Sequence, residues 1–457
     1  MVKNSVILLL AFASAFLPRV LDAVGFPSVV NFAHFVFIPL AGIFTFLQIR
    51  SKIRVQMALE LLTALLVLLA IVIFSALLNK AGVANVFLDY MLRAEWFIFL
   101  LAMISITPTE KSLRRLRFWF LSFAFINIFF AFVQKFILRW GEGQPAAGDF
   151  ITGVFLGQGA GCDVSSGVSI IFAIYYFTSS KKSPLWIRIA VAVFAIIHLF
   201  ITDAKSHLLV FLVALILVML TKLKLTNKSI TLFLKYLVLA TLFLGGIHLA
   251  SQTVAPSLLA FSREDQMQDG LDLKFSIFSI VTSHYQSPLN LLFGLGPGHT
   301  VGRLGGWILR DYASLLEPLG VTKFPASQEA WDAVWSTWIG PRSRLWSPFF
   351  GWAGIWGDWG LFGLAAFIYV MFVAWRRFCV DDACRVILMS VAVFGFIFTQ
   401  MEEPGYVISV AAILGLRWQE VQLAKRSRDQ QLQLIYNSNS QLELNFKLTI
   451  TSATIIF

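Results

Sequence analysis

Cations able to grip an anion, and carboxylates able to take a proton beside them, gather mainly in the second half of this chain. Arg303, Arg310 and Glu317 recur every seven residues, which on a helix would form one polar stripe. Arg342 and Arg344 flank Ser343, and in an extended segment both side chains would point the same way. Guanidinium groups chelate phosphate oxygens through paired donors, which suits a diphosphate better than a lysine point charge does. Further upstream, Thr202-Asp203-Ala204-Lys205-Ser206-His207 is the densest ionisable cluster near an apolar run. There Asp203 and His207, one helical turn apart, could pair and leave Lys205 free to meet an anion. The bland alternative for each cation is a solvated surface charge.

Candidate proton acceptors are His299, His284, Asp358, Glu402 and Glu403. His299 closes the segment Phe293-Gly294-Leu295-Gly296-Pro297-Gly298-His299, whose glycines permit tight turns and close approach of backbone N–H groups to a ligand. Glu402 and Glu403 precede Pro404, where a carboxylate could act as general base on a hydroxyl or serve as a salt bridge to a loop arginine. Eight of the fourteen tryptophans fall between 307 and 359. Trp331, Trp335 and Trp338 share helical spacing, as do Trp352, Trp356 and Trp359. They fit an interfacial anchor or platforms for sugar rings, and Trp346 is one of the eight.

No P-loop, HExxH or serine nucleophile elbow is present. Cys162, Cys379 and Cys384 match neither a zinc spacing nor a disulfide framework. Nothing in the sequence demands a metal or a cofactor.

These groups must be positioned by elements in lipid. The chain has 457 residues, 58% of them hydrophobic and 13% charged, and its mean hydropathy is +0.78. That composition excludes a soluble enzyme, a disordered chain and a nucleic-acid-binding module. Apolar runs predict an all-α integral membrane protein of about twelve transmembrane helices. The expected spans are 4–17, 27–48, 57–78, 86–106, 117–138, 164–178, 185–202, 206–221, 230–250, 351–374, 384–400 and 404–417.

The net charge of +11 divides unevenly between the loops. Arg50, Lys52 and Arg54 lie on one side, with Lys111, Arg114, Arg115 and Arg117, then Lys181, Lys182 and Arg188. The same side continues with Lys222, Lys224 and Lys228, with Arg376, Arg377 and Arg385, and with Arg417, Lys425, Arg426 and Arg428. The other side carries Arg19, Lys80, Arg93, Arg139 and Lys205, so both termini are expected in the cytoplasm. Four regions follow: an N-terminal bundle (1–250), a large, mostly helical extracytoplasmic loop (251–350), C-terminal spans (351–417) and a cytoplasmic tail (418–457). The Gln-, Asn- and Ser-rich end of that tail, from about 429, is expected to be poorly ordered. Lys3 and the apolar run to Phe16 also fit a signal peptide, which would leave the later topology unchanged.

The order of these features resembles the O-antigen polymerase and ligase superfamily of bacterial envelope enzymes. Four stretches within about 150–375 carry the likeness. They are Ile151-Thr152-Gly153-Val154-Phe155, Ile201 through Leu209, Gly294-Leu295-Gly296-Pro297-Gly298, and Gly357-Asp358-Trp359-Gly360-Leu361-Phe362-Gly363-Leu364. Lys205 stands where the family usually has arginine. Ser347-Pro348-Phe349 stands where ligases of the group often carry a His-Asn pair.

The resemblance therefore implies a polymerase of O-antigen or exopolysaccharide type at the outer face of the inner membrane. It would join glycan units carried on undecaprenyl diphosphate, without a metal. Membrane lipids and a chain-length regulator or flippase would be its partners. Lys205, Arg303, Arg310, Arg342 and Arg344 would hold the diphosphate, Trp346 would contact the substrate, and His299 or Glu403 would accept the proton. A ligase and, from another class, a secondary transporter are the alternatives.

Overall fold

A computed structural model of the chain describes residues 4–144, 147–157, 161–204, 206–222, 264–342 and 344–454. Among them all regular structure is helical. The first part comprises α1 (Asn4–Phe16), α2 (Pro18–Ala23), α3 (His34–Phe46), α4 (Lys52–Asn79), α5 (Val83–Ser105), α6 (Glu110–Phe132), α7 (Gly161–Ser179), α8 (Leu185–Ile201) and α9 (Ser206–Leu220). The expected span at 230–250 lies outside the described residues. The remainder comprises α10 (Glu264–Ser283), α11 (Leu289–Phe293), α12 (Pro325–Ser336), α13 (Gly351–Phe378), α14 (Asp382–Phe394) and α15 (Pro404–Thr454), with short turns between them.

Five described stretches are long and apolar enough to cross a bilayer: Ser28–Phe46, Lys52–Asn79, Glu110–Ile137, Gly161–Ser179 and Gly351–Phe378. Asn4–Phe16, Leu185–Ile201 and Ser206–Leu220 are shorter apolar helices. Leu59, Leu66, Val67 and Leu77 of α4 and Val36, Leu40 and Ile43 of α3 are exposed, as lipid contact requires. The protein is therefore a helical membrane protein. Among the described residues these five and three shorter apolar helices do not establish the expected count of about twelve spans. Asp89, Arg93 and Glu95 interrupt the apolar run of α5, and α14 is only 13 residues long.

The bundle is built around α5, whose Trp96, Phe97, Phe99 and Leu100 are fully buried. It packs against α3, α4 and α15, while α13 packs on α4, α14 on α9 and α7 on α8. Helix starts follow local chemistry. The Thr109 hydroxyl accepts from the Ser112 amide at the head of α6, and the Asp381 carboxylate accepts from the Cys384 amide at the head of α14.

The two ends of α5 face different surroundings. At its first turn, Asn85 Nδ2 donates to the carbonyls of Pro297 and Thr322, tying it to residues 264–350. At its other end, Arg54 donates to the carbonyls of Ile104 and Ile106 and to Gln419. We call these the loop end and the basic end.

Residues 264–350 fold as packed short helices rather than as a bare connection. Leu273, Ile277 and Val281 of α10 share a core with Ala326, Ala330 and Val334 of α12 and with Phe349 and Phe350. The expected stripe through Arg303, Arg310 and Glu317 does not form. A wide π turn at Leu304–Ile308 is followed by single turns at Leu309–Asp311 and Ala313–Leu316, broken by Tyr312 at φ −113°, ψ 28°. The Gln- and Asn-rich tail also departs from expectation, because α15 continues unbroken through 51 residues to Thr454. Its Gln, Leu, Glu and Lys residues are strong helix formers, so low hydrophobicity does not dictate loss of helix there.

Candidate functional site

The ionisable groups converge at the loop end, on a residue counted above as a loop charge. Arg93 stands inside α5 with no exposed surface. Its Nη1 meets Asp89 one turn earlier at 2.6 Å, Nη2 meets Asp358 of α13 at 2.7 Å, and Nε meets Glu402 at 3.3 Å. The indole of Trp359 lies against the guanidinium at 4.3 Å from its centroid. Asp358 spends its other oxygen on the amide and hydroxyl of Thr300, both at 2.8 Å. One guanidinium thus joins α5, α13 and the turn before α15.

Glu402 extends this network towards the rim. Its second oxygen accepts the Arg303 amide at 2.6 Å, and its carbonyl accepts Arg303 Nη1 at 3.0 Å. Arg303 Nη1 also pairs with Glu403 at 2.8 Å, where both side chains keep a little exposure, 12% and 15%. Three carboxylates face the single buried Arg93 charge, and burial pushes the Glu402 carboxyl above its usual range. Of these groups only the Arg303–Glu403 pair touches solvent, so it is the point where a ligand could enter the network.

The other expected site residues are more scattered. His299 is 2% exposed, and both ring nitrogens are engaged, Nδ1 with the Leu295 carbonyl at 2.8 Å and Nε2 with Thr322 Oγ1 at 2.7 Å. Its ring stacks on Phe324, and burial lowers its proton affinity. It braces the glycine turn in this arrangement. The amides of that turn are also engaged: Leu295 and Gly296 donate to the carbonyls of Gly357 and Asp358, at 2.8 and 3.1 Å. The positive φ of Gly294 and Gly296 is what brings this backbone onto α13, so the close approach is to a helix.

Arg310 is exposed and lies over the Trp331 ring at 4.5 Å, away from the Arg93 network. Glu317 pairs with Lys323 and His284 with Glu329. Trp346 is half-buried against Gly270 of α10. The backbone of Arg342 and Arg344 sits in two short 3₁₀ turns, and their side chains lie outside the described residues, as does Lys205. Asp203 takes a left-handed φ of 54° and breaks the helical phase expected at 202–207. His207 faces Asp163 instead, its Nε2 donating to the Asp163 backbone oxygen at 2.9 Å. Among the tryptophans, Trp335 and Trp338 are exposed, whereas Trp359 is fully buried.

Two features had no place in the sequence reading. Lys274 of α10 is 8% exposed, and its Nζ donates to the carbonyls of Leu345, Ser347 and Ile397 at 2.8, 3.5 and 3.3 Å. Burial lowers its pKa to about 7. It ties the segment after Arg344 to the turn leading to Glu402. Just below that turn, an apolar groove of about 550 Å³ runs between α13 and α14 from Trp352 and Phe396 to Trp375. Ile368, Phe372, Met389 and Ala392 line its length.

A signal for Arg93 was present in the sequence. Asp89 and Arg93 are four residues apart inside an otherwise apolar run, where charges are expensive and usually paired. Lys274 offers no comparable pattern, since it looks like any lysine in an amphipathic helix. Among the described residues no three His, Cys, Asp or Glu side chains are grouped so as to hold a metal ion. No protein-family model matches the chain, and no curated protein matches it.

Proposed function

We propose that this protein is a membrane-embedded glycosyltransferase of the polysaccharide polymerase type, acting on glycans carried by a prenyl diphosphate lipid. The observation that carries the reading is the groove between α13 and α14. Its walls are almost wholly apolar, it follows the long axis of a spanning helix, and its loop end meets the turn 395–403. A prenyl chain fits such a groove by chemistry and direction, and its headgroup would then emerge beside Arg303, Glu403 and the segment 344–347.

On this reading Arg303 neutralises charge on the departing diphosphate, and Glu403 takes the proton of the attacking sugar hydroxyl. For that, the Arg303–Glu403 pair opens when substrate binds, and the Arg93 network below keeps the backbone of Glu402 in place. Lys205, Arg310, Arg342 and Arg344 are the further candidate anion ligands, Trp346 is the candidate substrate contact, and His299 remains the other candidate base. The loop end faces the outside of the cytoplasmic membrane, as the distribution of basic residues favours.

The decisive assay incubates purified protein with a synthetic prenyl-diphosphate-linked repeat unit and resolves the products by length. A ladder of multiples supports polymerisation. Transfer of preassembled glycan to an unrelated acceptor indicates the ligase alternative, and unchanged substrate in an otherwise folded preparation overturns the reading.

One observation favours a second reading. Acids buried within the helix bundle, Asp89 and Asp358 with Arg93 and Glu95 with His34 at 2.5 Å, are the type of group that couples ion movement to transport. Solute uptake into proteoliposomes driven by a proton gradient would establish it.

A further inference from the structure

At the basic end, remote from the proposed reaction, a second cavity of about 420 Å³ opens between α6, the end of α7 and α15. Its lining is cationic and hydroxylic: Arg117, Ser179, Ser180, Lys181, Lys182 and Arg417. The two arginines are already braced. Arg117 donates to Ser180 Oγ and lies 3.7 Å from Glu420, while Arg417 pairs with Asp381 and Glu420, each at 2.6 Å. Lys181 and Lys182 are exposed and have no carboxylate partner among the described residues. With Asp381 and Glu420 counted against the four cations, the cavity keeps two positive charges in excess.

Two independent features point to a ligand. The Ser179 hydroxyl is shielded from solvent yet makes no hydrogen bond among the described residues. A donor left idle beside four cations is arranged for an acceptor with several oxygens. Exposed indoles also stand at nearby positions of the same helices: Trp119 is 45% exposed two residues after Arg117 in α6, and Trp186 is 71% exposed at the head of α8. Exposed tryptophans favour the level of lipid headgroups, where their rings are apolar and their N–H groups meet water. Of the cavity's cations, Arg117, Lys181 and Lys182 belong to the same helix ends as these indoles.

We propose that this cavity binds a phosphate-bearing anion at the membrane surface. Arg117 and Arg417 form its fixed floor, Lys181 and Lys182 its flexible rim, and Ser179 donates to a phosphate oxygen. The phosphate can come from an anionic phospholipid headgroup or from a soluble phosphate. The exposed indoles on the same helices favour the phospholipid, and basic pockets between helices on the cytoplasmic side are a recurrent place for such lipids. The site is separate from the glycan reaction and stands or falls without it.

The test uses the full chain in phosphatidylcholine nanodiscs, with and without phosphatidylglycerol, and compares it with a Lys181→Gln/Lys182→Gln variant and a Ser179→Ala variant. Both lysines are exposed, so the double variant should fold, and unfolding temperature in plain phosphatidylcholine verifies this. Phosphatidylglycerol is expected to raise the unfolding temperature of the wild type and to be retained in native mass spectra. Both effects should fall about thirtyfold in apparent affinity in the double variant, since the two lysines near such a surface are together worth ~2 kcal/mol. Inorganic phosphate added to phosphatidylcholine nanodiscs distinguishes the sources. Stabilisation by phosphate that the variants lose assigns a soluble ligand, whereas its absence beside a phosphatidylglycerol effect assigns the lipid. Equal response of wild type and variants, or no preference of the wild type for either anion over phosphatidylcholine, overturns the proposal.

Discussion

Arg93 and Asp358, 265 positions apart in the chain, meet at 2.7 Å with neither side chain exposed. This contact fastens α5 to α13 at the loop end, and Asp358 passes the constraint on to Thr300. Replacing Arg93 by methionine fills similar volume but strands Asp89, Asp358 and Glu402. Breaking a buried pair from one side costs about 3–5 kcal/mol. Thermal unfolding in detergent should show a large loss for Arg93→Met, and an Arg93→Met/Asp358→Asn double variant should lose less than the sum of the two single changes. Additive losses would mean that the two residues do not act together.

At the rim, Arg303 and Glu403 are partly open and carry the proposed chemistry. Arg303→Lys keeps the charge but loses the paired donors, so chain elongation on a prenyl-diphosphate substrate should fall at least about tenfold, the equivalent of ~1.4 kcal/mol at the transition state. Glu403→Gln should remove turnover while leaving substrate binding close to wild type. Full activity in both variants would move the reaction elsewhere.

The groove offers a steric test. Ala392 lines its middle, and the Ala392→Phe side chain would project into the space between α13 and α14. Photo-crosslinking of a prenyl diphosphate probe to α13 should drop sharply, while unfolding temperature stays near wild type because the ring meets an empty apolar volume. Undiminished labelling would show that the tail lies elsewhere.

Lys274 predicts a pH signature. Its folded pKa of about 7 lies below the ordinary lysine value of 10.5. Between these two values the unfolded chain holds a proton that the folded chain does not, so raising the pH favours the folded state across that window. Stability relative to a Lys274→Met variant should therefore rise from pH 7 towards pH 10 and change little below about pH 6. A constant difference between the two proteins at all pH values would show that the amine keeps an ordinary proton affinity.

The helices were legible because apolar runs of membrane length are long and bounded by charges. The expected 185–202 and 206–221 correspond to Leu185–Ile201 and Ser206–Leu220. The site was legible only in part. Glu403 and Arg303 could be singled out as ionisable groups, but their pairing joins residues far apart in the chain, which spacing does not encode. Arg93 was counted with the loops because a charge interrupting an apolar run reads as the end of a span. In fact three carboxylates from separate segments compensate it. The seven-residue interval of Arg303, Arg310 and Glu317 misled for a local reason: the adjacent Gly305 and Gly306 weaken the helix and favour the π turn.

The break in α13 also separates the ionic network from the long apolar run of that helix. Gly360 has φ 69° and ψ −165°, so regular helix resumes only from Leu361 and runs to Phe378, roughly 18 residues or about 27 Å. That length alone nearly crosses a hydrocarbon layer of about 30 Å. Asp358 and Trp359 stand just before the break, so the groups that hold Arg93 belong to the short first stretch of α13 and not to that apolar run. A side chain at Gly360 would meet the backbone of Leu292, so a substitution there would displace the salt-bridged knot and leave the apolar run in place.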